Sequence, residues 1–92
     1  MRNTIVLETI NADGVKAPDT GKTVQIYGYH ASDAAGGSPH GALIGSASEN
    51  TGTGVYYADI TNGVKVTVVV DGLCRANMIG VWMNGEDWNV DF

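Results

Sequence analysis

Two imidazoles and a carboxylate stand in one short stretch, "HASDAAGGSPH", with His30 and His40 at its ends and Asp33 between them. These are zinc-ligand side chains, but the spacing is outside the tight patterns by which neighbouring ligands grip one ion. The residues between them read as a loop. The expectation is two unrelated surface histidines and no metal site.

The other reactive side chains fare no better. Ser32, Ser38, Ser46 and Ser48 lack a G-x-S-x-G context. Arg75 beside Cys74 favours a thiolate, yet a lone cysteine closing an apolar strand reads as a small buried hydrophobe. Glu86 and Asp87 are adjacent, so in a strand they point to opposite faces and cannot work as a carboxylate pair. Asp13, Asp33, Asp59 and Asp71 sit at turns without the D-x-D-x-D-G spacing of a calcium loop, and no glycine-rich stretch ends in GK[ST] before a helix. No enzyme, no cofactor and no metal are expected.

The aromatic residues are more informative. Tyr27 and Tyr29 share one strand face, Tyr56 and Tyr57 are adjacent, and "VWMNGEDWNVDF" loads Trp82, Met83, Trp88 and Phe92 onto the chain end. A segment so apolar is expected to dock rather than fray. Tyr27, Tyr29, Trp82, Met83, Trp88 and Phe92 are therefore the candidate partner-binding residues, with 82–92 docked on the core or on a neighbouring subunit.

The elements that must position these residues are strands. Thirteen glycines, abundant Thr, Val, Asn and Ser and no helical period argue against helix. Alternation marks strands at "TIVLETI" (4–10), "KTVQIYGYHAS" (22–32), weakly at "ALIGSASEN" (42–50), at "VYYADI" and "VKVTVVV", and within 73–92. Gly28 suggests a bulge or a close backbone approach. Asn62-Gly63 reads as a type I′ hairpin turn joining the fourth and fifth of these elements, and Asn84-Gly85 as another. Asp71-Gly72 turns the chain between them. Roughly six to eight short strands with regular turn signals predict one all-β domain over residues 1–92, a single antiparallel β-sandwich of Ig-like or transthyretin-like type.

Composition narrows the function classes. Net charge is −5 with five scattered cations, a poor footprint for nucleic acid. The opening "MRNTIVLETIN" lacks the apolar block of a signal peptide, and no run approaches a membrane helix. The expectation is a soluble chain with no membrane insertion. With a single cysteine there is no internal disulfide, and a core this small gains from an oligomer partner.

From "GKTVQIYGYHASD" through "TGTGVYYADITNGVKVTVVVDG" the order of features resembles the transthyretin-like, or prealbumin-like, sandwiches that include carboxypeptidase regulatory-like and collagen-adhesin B-type domains. The likeness rests on Val24 and Ile26, on Gly54, Tyr56, Ala58 and Gly63 set against a G-x-Y-x-F-x-x-L-x-x-G element, and on the V-x-V run. Ala58 stands where that element has an aromatic, and Lys65 where a tyrosine is usual. The resemblance implies a non-catalytic spacer, adhesive or assembly module. The composition also resembles bacteriophage head-decoration, head-fibre and tail-accessory subunits, which implies a structural virion protein meeting capsid or tail proteins, or its own copies. The alternative is a carbohydrate or cell-surface binding module whose exposed aromatics stack on a surface glycan.

Overall fold

The structure, a computed structural model, describes residues 2–10, 12–61 and 63–83. Its elements are β1 (Arg2–Val6), β2 (Glu8–Ile10), β3 (Lys16–Pro18), β4 (Val24–Gly28), β5 (Leu43–Asn50), β6 (Val55–Asp59), β7 (Val64–Val70) and β8 (Leu73–Met83). Six of them form one antiparallel sheet in the order β1-β6-β5-β4-β7-β8, and β2 pairs with β3 alone. No helix occurs among the described residues, so none is long and apolar enough to cross a membrane. The fold is all-β and antiparallel, as expected.

The sheet works as two halves hinged on β5. Val24 and Ile26 of β4 stand opposite Ala47 and Gly45 at the start of β5, whereas Ser48, Glu49 and Asn50 pair with Tyr57, Tyr56 and Val55 of β6. Cross-strand partners share a face, so β5 offers the core only glycine and alanine where its neighbour offers valine and isoleucine. A Cβ on Gly45 would run into the Ile60 side chain, so the small inner face of β5 is the space into which Ile60 packs. One buried cluster results, with Ile5, Leu7, Tyr56, Ala58 and Ile60 from one half and Val24, Ile26, Val66, Val68, Val70, Met78 and Met83 from the other. Tyr56 is buried without losing its polar bonds. Its hydroxyl donates to the Asp19 carbonyl at 2.9 Å and accepts from the Lys22 amide at 3.0 Å.

Several sequence expectations change at this level. β6 and β7 are not a hairpin: β6 lies between β1 and β5, and β7 between β4 and β8, so both edges of each strand are already bonded. The chain between them crosses from one half to the other, and the Gly63 amide bonds to the Met83 carbonyl. Asn62 and the 84–85 turn lie outside the described residues. The two-residue hairpin is instead β7–β8, where Asp71 and Gly72 take φ of 52° and 83° between the paired Val70 and Leu73, as a type I′ turn requires. The expected first strand divides at buried Leu7. There the amide bonds to Gly54 and the carbonyl to Asp19, which turns the chain from β1 into β2. The stretch "VKAP" contains β3. The weak strand is eight residues long and central, and its small inner face is why it read as weak.

Met78 is fully buried, so Met78→Ala is expected to cost roughly 2–5 kcal/mol. Gly72→Ala meets no neighbour within 4 Å but keeps a left-handed backbone, so it should cost only about 1–2 kcal/mol. Denaturant titration of both variants measures this ordering, and equal losses would contradict it.

Candidate functional site

The 14 residues between β4 and β5 are a strap held by one carboxylate. Asp33 has no exposed side-chain surface. Its Oδ2 accepts from the Thr67 hydroxyl at 2.7 Å and the His30 amide at 3.3 Å, and its Oδ1 from the His40 amide at 2.8 Å and His40 Nδ1 at 3.1 Å. Burial alone pushes this carboxyl up, but the bonds from Thr67, His40 and His30 outweigh it and hold the group down at about 2. Thr67 alternates with core residues Val66 and Val68, so it sits on the outer face of β7. The strap crosses that face to β8, the last strand of the sheet among the described residues, where Gly36 donates to the Cys74 carbonyl and Cys74 donates to the Gly37 carbonyl. These bonds occupy backbone groups that a bare sheet edge would leave open. They also leave Val69 and Cys74 buried on the outer face. Burial, and secondarily the Asp33 charge, pushes the Cys74 thiol up, which fits a packing role. His30 and His40 are thus parts of one structure rather than unrelated side chains.

The second feature of the outer face is aromatic. Register places Lys65 opposite Trp82, and the Tyr29 amide donates to the Lys65 carbonyl, so three side chains from three segments converge. The Lys65 ammonium lies 4.5 Å from the Tyr29 ring centroid and 6.0 Å from that of Trp82, within reach of cation–π attraction to both. Trp82 is 59% exposed and Tyr29 38%. Beneath them β8 is irregular: Val66 pairs with Val81 but Thr67 with Ile79, so Gly80 is the extra residue of a bulge, with φ of 69°. A Cβ at Gly80 would stand 3.2 Å from the Lys65 stem and 3.3 Å from the Tyr29 ring. The glycine is what lets both side chains lie down on the strand.

Of the six residues expected to meet a partner, Tyr29 and Trp82 are brought together and exposed. Tyr27 lies on the same outer face, half-buried, opposite Thr67 and Leu43. Met83 is corrected: alternation along β8 turns it inward, where it is fully buried in the core. Trp88 and Phe92 lie outside the described residues. Lys65 and Gly80 were missed. The V-K-V alternation was enough to place Lys65 on the outer face, whereas a bulge at Gly80 has no sequence signal beyond the glycine itself. A shallow groove of about 420 Å³ beside Ala35, Gly36, Leu73 and Arg75 adds no chemistry. Asp71 there is engaged with the Thr23 amide and Lys22, and Arg75 reaches Asp19. No group of three or more His, Cys, Asp or Glu suited to a metal occurs among the described residues.

The Asp33 carboxyl is lower in the folded chain than its ordinary value of 3.8. Its stabilising contribution is therefore complete above about pH 4 and lost as pH falls through about 2. Urea midpoints between pH 5 and 2 should fall for the wild type and fall less steeply for Asp33→Asn, which starts less stable. Parallel profiles would show that the carboxylate does not carry the strap.

No protein-family model, no curated protein and no solved structure matches this chain.

Proposed function

We propose that this chain is a non-catalytic assembly subunit that meets protein neighbours through the outer face of its sheet, centred on Tyr29, Lys65 and Trp82. The observation that carries this reading is the exposed tryptophan held beside a tyrosine and a lysine on a bulged strand. Aromatic side chains supply much contact area for little lost freedom, and tryptophan and tyrosine are among the side chains that most often dominate interface energetics. Lys65 stiffens the patch in advance, so less ordering remains to be done on association. The neighbours are further copies of the chain or the capsid and tail proteins of a bacteriophage particle, the setting that its composition suggests.

A second reading is supported by the same rings. Tyr29 and Trp82 flank an ammonium that can donate hydrogen bonds, an arrangement also suited to stacking on a surface glycan.

Light scattering across a concentration series is expected to show self-association that Trp82→Ala reduces by at least about tenfold, the loss typical of an aromatic anchor. Tyr29→Ala should weaken it less, because that ring is more covered. A wild type that stays monomeric and binds a glycan array through Trp82 would replace the first reading with the second. Unchanged association in a folded Trp82→Ala protein would remove the patch from both.

A further inference from the structure

The strap places two imidazoles side by side. The ring centroids of His30 and His40 are 5.6 Å apart, with an angle of 32° between their planes. Two imidazoles that bind one ion through ring nitrogens at about 2.0–2.1 Å have centroids roughly 4.5–5.3 Å apart, so the spacing of this pair is close to that of a chelating one. We infer that His30 and His40 form a two-histidine site for a late first-row divalent ion such as Zn²⁺ or Ni²⁺, completed by water.

The tautomer of His40 is the strongest support. Both Asp33 oxygens act as acceptors, from the Thr67 hydroxyl and the His30 and His40 amides, so the group facing them at 3.1 Å is a donor. His40 Nδ1 therefore carries a proton, and in the neutral ring Nε2 holds the lone pair. A carboxylate behind an imidazole in this way fixes the orientation of a ligating histidine and raises its basicity. The His40 side chain is 52% exposed, so water and a metal ion have access to it.

His30 has to change more. Its Nδ1 accepts from the Ser32 amide at 3.1 Å, which leaves the ring proton on Nε2. Binding through Nδ1 displaces the Ser32 amide, and binding through Nε2 moves the ring proton. Either change breaks one bond between exposed groups, which water can replace. The Asp33 carboxylate behind His40 and the chain's net charge of −5 favour a cation. With Asp33 fully engaged, the site offers imidazole nitrogen and water only. That set suits Zn²⁺ and Ni²⁺ and does not suit the oxygen-seeking Ca²⁺ and Mg²⁺.

Calorimetric titration of the full chain with Zn²⁺ and with Ni²⁺ is expected to give one ion per chain. His30→Ala and His40→Ala should each weaken binding by at least about tenfold, and the double variant no further than to background. Should either alanine variant loosen the strap, histidine ring resonances of the wild-type chain provide the second measurement. Both rings should shift together and saturate at one equivalent of Zn²⁺. Rings that saturate independently, binding indifferent to either substitution, or no one-to-one binding up to millimolar metal would overturn the inference.

Discussion

A strand that gives the core only Gly45 and Ala47 governs this fold. With large side chains there, Ile60 could not enter, and the two halves that share β5 would be held apart. Because β5 bonds to β4 with its first part and to β6 with its last, one continuous sheet supplies both walls of the core. The valines of β7 then face Tyr56 and Ile5 across the interior instead of lying beside β6.

That closure leaves the outer face of the larger half to be managed. A buried carboxylate does so at one end, where Asp33 gathers two backbone amides, a hydroxyl and an imidazole and draws the strap over Thr67, Val69 and Cys74. An ionised carboxylate removed from water is costly unless its oxygens are satisfied, and four donors satisfy these. At the other end Tyr29, Lys65 and Trp82 organise one another. Core, strap and aromatic patch are thus consequences of how one sheet is covered. The inner face is filled by its own strands, part of the outer face is covered by a loop, and the exposed Tyr29 and Trp82 lie on the rest.

Charge follows the same division. Lys22 and Arg75 are tied to Asp19 and Asp71 in surface pairs at 3.6–3.8 Å, which contribute little on their own. Lys65 is held by rings. An ammonium held beside exposed aromatic rings in an acidic chain is the observation on which the proposed function rests.

Strand content, antiparallel class and the burial of Cys74 were legible in the sequence, because each depends on local alternation and residue type. The pairing of strands was not. Asn62-Gly63 and Asp71-Gly72 carry nearly the same turn signal, but only the second closes a hairpin, since the partners of β6 and β7 are chosen by which faces must meet in the core. Likewise residue types made Tyr29 and Trp82 candidates, while their contact through Lys65 and the Gly80 bulge depends on a cross-strand register that single-residue patterns do not encode. His30 and His40 looked unrelated because nine residues of loop separate them. The tertiary structure joined them through Asp33, whose ionised side chain could be buried only where both strap histidines and Thr67 supplied donors to it.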